Sequence, residues 1–235
     1  MKNILLIAAM PEELDALKDK LSKFKEKSYG VIKGIEFKTK KGNVFAFVGK
    51  VGKANTAFNI GYLAAQMDIK RIINFGVAGS LSKNIVPLDV VVAEKVCYFD
   101  CDLTSDPKYK LGQMAGEELY YLADPTINRI LNKINTTLNI KTGTIISSDS
   151  FATKANMTED LLKHFDNPLC VDMESGAVGQ ISHRLNIPFT IIRAISDMVL
   201  AESNTDMFNE FLEMSSRRAA STVLHILNNE YVDEQ

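Results

Sequence analysis

Residues 188–197 of the chain read Pro-Phe-Thr-Ile-Ile-Arg-Ala-Ile-Ser-Asp. A continuous apolar run bounded by turn signals is typical of a strand that is buried on both faces of a parallel sheet. The polar residues Arg193, Ser196 and Asp197 come at the carboxyl end of this run. Because ligands bind at the carboxyl ends of strands in open α/β sheets, we expect these three side chains at the mouth of a binding site.

Strands and helices alternate along the rest of the chain, which favours a mostly parallel sheet covered by helices on both faces. We therefore predict one domain over residues 1–235 with an α/β fold, a three-layer α/β/α arrangement around a central mixed, mostly parallel twisted sheet. Further strands are predicted at residues 3–9, 29–40, 44–48, 71–75, 88–96, 140–147 and 168–171. Helices are predicted at residues 11–24, 54–67, 125–138, from 158, from about 176 to 185, and at 206–230.

The totals exclude several classes of protein. The chain has 235 residues, of which 46% are hydrophobic and 24% charged, and its net charge is -2. These values are ordinary for a globular enzyme and give no reason to expect nucleic acid or a membrane as a partner. Three cysteines, an odd number without dense spacing, favour free thiols in a reducing cytoplasm. The three histidines are scattered and no secretory signal or membrane span is evident, so we expect a cytoplasmic protein without a metal site.

Carboxylates recur where predicted strands end, at Glu12 and Glu13 after the first strand and at Asp172 and Glu174 after a later one. Carboxylates in different environments can divide acid and base duties, and an aromatic ring such as Phe151 can lie on a planar ligand. This combination favours hydrolysis of a glycosidic bond.

Each of these residues also has a purely structural interpretation. The two glutamates complement a helix dipole, Phe151 and Met173 fill a core, and Arg193 and Glu174 form an ion pair.

Two glycine-containing turns follow predicted strands. Gly49-Lys50-Val51-Gly52 precedes a helix, so its backbone N–H groups either approach a ligand or close a tight packing turn. Gly76-Val77-Ala78-Gly79 follows a buried strand, and its small residues leave room for a ligand against the backbone.

Four stretches carry a resemblance to a known family. The stretches are Ala9-Met10-Pro11-Glu12-Glu13, Asn74-Phe75-Gly76-Val77-Ala78-Gly79, Val171-Asp172-Met173-Glu174 and Arg193-Ala194-Ile195-Ser196-Asp197. They resemble, in register over nearly the whole chain, the 5′-methylthioadenosine/S-adenosylhomocysteine nucleosidases of the nucleoside phosphorylase superfamily. The resemblance implies a nucleoside phosphorylase-like fold, cleavage of a small-molecule nucleoside substrate, and no metal or organic cofactor.

The resemblance also implies roles for individual residues. Asp197 resembles the acid that protonates purine N7, and Glu13, three residues after the methionine, resembles the carboxylate that holds the attacking water. Glu174 resembles the acceptor of ribose hydroxyl groups, and Phe151 the ring that stacks on adenine. Further predicted binding residues are Val51 and Phe208 as apolar walls, Ala78, Gly79, Ala152 and Asp172 along the site, Met173 against the sugar, and Arg193 and Ser196 as residues that orient the site.

Related phosphorylases use phosphate in place of water. In the purine and uridine phosphorylases of the family that this chain resembles, an arginine stands two residues before the first glycine of the Gly76–Gly79 turn, and a hydroxyl residue follows that glycine. This chain has Asn74 and Val77 at these two positions. A phosphate would therefore meet carboxylates and no arginine, which favours water. A purine nucleoside phosphorylase and an aminofutalosine hydrolase-like nucleosidase remain the alternatives, with a non-catalytic nucleoside-binding protein as a third.

The loop over residues 98–117 departs from the family pattern. It carries a small insertion, and Phe99-Asp100-Cys101-Asp102 stands where the family often has His-Asp-x-Asp. Its family counterpart reaches into the partner's site in a dimer, so the resemblance implies a homodimer in which Tyr109 contacts the partner subunit. The order of preference among methylthioadenosine, adenosylhomocysteine, 5′-deoxyadenosine and aminofutalosine stays open.

Overall fold

The structure, a computed structural model, describes residues 3–126 and 139–228. The strands are β1 (Asn3–Ala8), β2 (Lys25–Tyr29), β3 (Ile32–Thr39), β4 (Gly42–Val48), β5 (Ile69–Ser80), β6 (Val90–Tyr98), β7 (Tyr121–Leu122), β8 (Ile140–Ser147), β9 (Pro168–Asp172) and β10 (Phe189–Met198). The helices are α1 (Pro11–Lys18), α2 (Lys53–Ala64), α3 (Glu159–Leu162), α4 (Ser175–Leu185) and α5 (Asn204–Asn228). All but the first two residues of the predicted helix at 125–138 lie outside the described residues.

The strands form one mixed sheet in the order β10-β6-β8-β9-β5-β1-β4-β3-β2, with β7 on β6. Strand β10 also pairs with β5, so β5, β10, β6, β8 and β9 close into a ring. The sheet is therefore partly closed, which the prediction of a central twisted sheet did not include. Two features allow closure: β5 is long enough to pair with β1, β10 and β9, and β10 shifts register between Ile195 and Asp197. Such irregularities bend a strand and increase its twist.

The prediction of a mostly parallel sheet is also corrected. Among the strand pairings of the described residues, five are parallel and five antiparallel. The antiparallel pairs come from the β2–β3–β4 meander at one edge and from β6 and β9 within the ring. Meanders need only short turns, whereas each parallel pair needs a crossover connection.

Helices cover the sheet from both sides. Helices α1 and α5 pack on one face, where Leu17, Ala219 and Val223 belong to a core cluster with Leu6 and Phe75. Helices α2 and α4 pack on the other face through Ile60, Leu63 and Val178. Ala219, Val223 and Ile226 of α5 are spaced at i, i+4 and i+7, the spacing of one apolar helix face.

The carboxyl ends of β1, β5, β9 and β10 converge. Gly79 near the end of β5 pairs with Val171 of β9 and with Asp197 of β10, and Val77 of β5 donates to Glu13 in α1, the helix that follows β1. This convergence places the motifs of the four quoted stretches around one cavity. Within the described parts of the chain, no helix has the length and apolar character needed to cross a lipid bilayer.

Candidate active site

A cavity of about 210 Å³ opens where these strands end. Its wall is mostly apolar, and the polar groups on it come from different strands and helices. It is lined by Ala9, Met10, Glu13, Val51, Val77, Ala78, Gly79, Ser150, Phe151, Ala152, Val171, Asp172, Met173, Glu174, Ser196, Asp197, Val199 and Phe208. Every predicted site residue except Arg193 and Tyr109 is among them.

Glu13 enters the cavity from the first turn of α1. Its Oε2 accepts hydrogen bonds from the backbone N–H groups of Ala9 at 2.7 Å and Met10 at 3.0 Å. Its Oε1 accepts one from Val77 at 3.0 Å. Glu12 is exposed, so the choice of Glu13 over its neighbour agrees with the geometry.

Burial raises the pKa of Glu13, while the positive charge of Arg193 and the three backbone donors act against that rise. Gly76 makes the close approach possible, because a Cβ at this position would lie 2.1 Å from Oε1 of Glu13. The carboxylate is therefore fixed in place and aimed at the cavity, an arrangement suited to holding and polarising a water molecule.

Asp197 lies near the end of β10 and is only 2% exposed. The Ser196 hydroxyl donates to its Oδ1 at 2.7 Å, and the Asn204 side-chain amide donates to its Oδ2 at 3.4 Å. Burial raises the pKa of Asp197, and the two hydrogen bonds act against that rise. A carboxyl group kept protonated by burial can act as a general acid near neutral pH.

Asn204 was missed by the sequence interpretation. Its amide bridges Asp197 and the backbone oxygen of Ala152, the second bond being 2.9 Å long. It therefore links the carboxyl group to the loop that carries Phe151. Its place as the first residue of the last described helix is the sequence signal, since asparagine is favoured at helix N-termini.

Arg193 does not lie at the mouth of the cavity, which corrects the first expectation. It is 1% exposed and sits behind the cavity wall, where its Nε donates to Asp172 Oδ2 at 2.7 Å. Its Nη2 also lies 3.5 Å from Glu174 and donates to the side chain of Asn74. A buried guanidinium must be paired and hydrogen-bonded, and these carboxylates supply the pairing. Arg193 therefore forms a buried ion pair with Asp172 and Glu174, as its purely structural interpretation predicts.

Glu174 precedes α4 and is 5% exposed. Burial raises its pKa to about 8, and the neighbouring negative charge of Asp172 adds to the shift. Its Oε1 accepts a hydrogen bond of 3.0 Å from the backbone N–H of Gly52. The Gly49–Gly52 turn thus gives one N–H to the protein's own carboxylate, while Val51 lines the cavity.

Phe151 and Phe208 form an aromatic corner of the cavity. Their ring centroids are 5.6 Å apart with an interplanar angle of 83°. Phe151 is 41% exposed, so its ring is available to a ligand and is not core packing. Tyr109 lies in the loop between β6 and β7 and is not among the residues that line the cavity.

Other lining residues also escaped the sequence interpretation. They are backbone and aliphatic contributors, whose residue types carry no chemical signal: Ala9, Met10, Val77, Ser150, Val171 and Val199. Ala9, Met10, Val77 and Val171 nevertheless fall inside the quoted motifs. Residues 3–126 and 139–228 contain no group of three or more His, Cys, Asp or Glu side chains placed to hold a metal ion.

Comparison with known proteins gives consistent matches. The family model described as the phosphorylase superfamily matches residues 3–228. A 5′-methylthioadenosine/S-adenosylhomocysteine nucleosidase of Halalkalibacterium halodurans is 35% identical over 97% of the chain and 98% of the relative. The corresponding enzyme of Staphylococcus haemolyticus is 33% identical over 93% of the chain and 96% of the relative.

Solved structures of the same description also superpose on the chain. The nucleosidase of S. pneumoniae with the transition-state inhibitor MT-ImmA has a TM-score of 0.88 and 32% identity, covering 96% of the chain and 98% of that structure. The Streptococcus pyogenes S-adenosylhomocysteine nucleosidase in complex with 5-methylthiotubericidin has a TM-score of 0.88 and 31% identity, covering 98% of both chains.

Proposed function

The chain belongs to the phosphorylase superfamily and, within it, to the 5′-methylthioadenosine/S-adenosylhomocysteine nucleosidases, and from this premise we propose how its residues perform the reaction. The enzyme is an N-glycosidic hydrolase. It cleaves methylthioadenosine and adenosylhomocysteine to adenine and the corresponding 5′-thioribose. The assignment of each residue below is our proposal.

Asp197 is the proposed acid. Adenine leaves poorly as an anion, so a proton delivered to N7 removes much of the barrier. The raised pKa of Asp197 supports this role, because the acid must still hold its proton near neutral pH. Ser196 and Asn204 hold its two oxygens, which fixes the direction in which the proton is offered.

Glu13 is the proposed holder of the attacking water. As the bond to adenine breaks, the ribose acquires oxocarbenium character, and a nearby carboxylate both stabilises that charge and orients water toward C1′. The three backbone donors on Glu13 support this role because they oppose the effect of burial on its pKa.

The sugar and base are assigned to the remaining polar and aromatic groups. Glu174 accepts hydrogen bonds from the ribose hydroxyls with Met173 packed against the sugar, and Phe151 stacks on adenine beside the backbone of Ala152. The shared cavity wall supports these assignments, as does the apolar surface that Val51 and Phe208 offer to the 5′ substituent.

One observation carries the proposal. Two buried carboxyl groups with raised pKa values lie against the same strand, Glu13 beside Gly76 and Asp197 beside Gly79. Both carboxyl groups line the same cavity. A nucleoside bound there can therefore place its sugar beside the group that holds water and its base beside the group that protonates it.

The nucleophile is proposed to be water. No arginine or lysine is among the described residues that line the cavity. Asn74, at the position where related phosphorylases carry an arginine, is fully buried and donates from its Nδ2 to the Ile7 backbone oxygen at 3.0 Å. Phosphate binding normally depends on such cationic groups.

Adenine release from methylthioadenosine is therefore expected to be independent of phosphate. The purified protein should release adenine at the same rate in phosphate-free buffer and with phosphate in excess, and the sugar product should be free methylthioribose in both cases. Liquid chromatography of both products gives the measurement. Release that requires phosphate, with the sugar 1-phosphate as product, would contradict water as the nucleophile.

We also propose that the enzyme is a homodimer in which Tyr109 contacts the partner's site. An exposed aromatic ring supports this: Phe58, 55% exposed, stacks at 5.4 Å on the partly buried Tyr62 along α2, the helix that follows Val51. Large exposed apolar groups are typical of interaction surfaces. The three free cysteines support a reducing, cytoplasmic location, which cell fractionation would test.

Phe58→Glu is expected to shift the protein from dimer to monomer in analytical ultracentrifugation, because it places a charge in an apolar interface. Tyr109→Ala is expected to keep the dimer and raise KM. A monomeric unmodified protein would rule out the dimer, and a Tyr109→Ala enzyme with unchanged KM would remove the role of this residue.

A further inference from the structure

Lys53, the first residue of α2, joins two aspartates that belong to other loops. Its Nζ lies 2.9 Å from Oδ1 and 2.7 Å from Oδ2 of Asp100, and 3.9 Å from Oδ2 of Asp149. Its backbone N–H donates to Asp149 Oδ1 at 2.7 Å, and the N–H of Asp149 donates to Asp100 Oδ2 at 3.2 Å. We call Lys53, Asp100 and Asp149 the clasp.

The clasp ties three loops together at the edge of the cavity. Lys53 directly follows the Gly49–Gly52 turn after β4, Asp100 lies in the loop after β6, and Asp149 lies in the loop after β8. The third loop continues into Ser150, Phe151 and Ala152, which line the cavity. The clasp therefore connects the turn that holds Glu174 to the loop that carries the aromatic platform.

The Gly49–Gly52 turn packs closely against Asp149 of the clasp. Gly52 has a φ of 102°, a conformation that favours glycine, and a Cβ at this position would lie 3.0 Å from Oδ1 of Asp149. The N–H of the same glycine donates to Oε1 of Glu174. The position of this donor is thus set on one side by Glu174 and on the other by the hydrogen bond from the backbone N–H of Lys53 to Asp149. Asp149 in turn donates its N–H to Asp100, and the ammonium group of Lys53 holds Asp100 in place.

We propose that Lys53 is a positioning residue for ribose recognition: through the clasp it holds the Gly52 N–H on Glu174, and so it aims Glu174 at the ribose hydroxyls. The proposal rests on the proposed function, in which Glu174 accepts those hydroxyl hydrogen bonds. Neither Lys53 nor the two aspartates needs to touch the substrate for this effect.

The clasp is suited to positioning more than to stability. The side chains of Lys53, Asp100 and Asp149 are 23%, 28% and 53% exposed. Ion pairs with this exposure contribute little to folding stability because water and salt screen them. A displacement of about 1 Å in a substrate-binding group can nevertheless cost about 100-fold in rate.

The test compares two substrates in one variant. Lys53→Met is expected to lower kcat/KM for methylthioadenosine by about 10-fold or more, and to lower it by less than about threefold for the analogue that lacks both ribose hydroxyls. The analogue cannot use Glu174, so misplacing that carboxylate affects it little. A role in folding alone would lower both values equally.

Lys50→Met is the matched control, because it makes the same change on an exposed lysine of the same turn, and we expect wild-type values for both substrates. Asp100→Ala removes both acceptor oxygens, so it opens the clasp from the other side and should reproduce the Lys53→Met pattern, which keeps the test decisive if one variant folds poorly. Equal losses on the two substrates, or no loss with methylthioadenosine, would overturn the proposal. No adenine release by the unmodified protein would instead overturn the proposed function, and the role of the clasp with it.

Discussion

Asp197→Asn is expected to lower kcat for adenine release by about 10²–10⁴-fold, the usual contribution of a positioned general acid. Asparagine has nearly the same shape and can still accept the Ser196 hydrogen bond, but it has no proton to give to N7. Steady-state kinetics with methylthioadenosine provides the measurement. An enzyme that keeps its kcat would exclude Asp197 as the acid.

The same variant has a defined effect on stability and pH dependence. Because burial raises the pKa of Asp197, the folded state binds the proton more tightly than the unfolded state. The stabilising effect of this proton is present below the unfolded pKa of about 3.9 and is lost as pH rises through the folded pKa. Asparagine does not titrate, so the variant should melt at the same or a higher temperature at neutral pH. In the unmodified enzyme, kcat should fall as pH rises through the raised pKa of Asp197. A lower melting temperature for Asp197→Asn than for the unmodified enzyme would show that its lost activity reflects misfolding.

Glu13→Gln is expected to lower kcat by a comparable factor, about 10²–10⁴-fold, because an amide neither takes a proton from water nor stabilises the cationic sugar. Glu12→Gln is the matched control: it makes the same change one residue earlier on an exposed side chain and should leave kcat unchanged. Equal losses in the two variants would mean that the first turn of α1 acts through its folding and not through a water-holding carboxylate.

Gly76→Ala tests the same carboxylate without removing it. The new Cβ would lie 2.1 Å from Oε1 of Glu13, so the carboxylate must leave the backbone donor of Val77. A misplaced catalytic group can cost about 100-fold. We expect a loss of this order in kcat, measured beside Glu13→Gln, and an additive loss in the double variant would contradict a shared mechanism.

Local signals and strand ends coincide in this fold, and the resemblance adds residues that the local pattern alone does not indicate, so the predicted site residues lie close together. The apolar run that ends in Ser196 and Asp197 is a buried strand, and the motif containing Glu13 follows the first strand. Polar residues directly after such a buried strand lie at the edge of the sheet, because the chain leaves the apolar core there. Twelve of the fourteen predicted site residues therefore line one cavity.

Features that depend on distant partners could not be read in the same way. The placement of Arg193 behind the cavity wall depends on Asp172, Glu174 and Asn74, which come from other strands and loops. The role of Asn204 depends on the backbone of Ala152, 52 residues away. The closure of the ring depends on where β10 shifts register against β5. The hydrophobic periodicity of the sequence predicts local elements and does not identify these long-range contacts.

The ring of β5, β10, β6, β8 and β9 also sets when the site can come into existence during synthesis. Strand β5 ends at Ser80, but its two ring partners, β9 and β10, begin more than 80 residues later. A ribosome-bound chain that stops before residue 189 has an unpaired flank on β5 and lacks Asp197 altogether. Glu13 is translated long before β10, and it faces Asp197 across the cavity only once β10 has formed. Long-range strand pairing is slow and leaves strand edges unpaired until it is complete. The nascent chain therefore exposes an aggregation-prone edge on β5 until β9 and β10 have been synthesised.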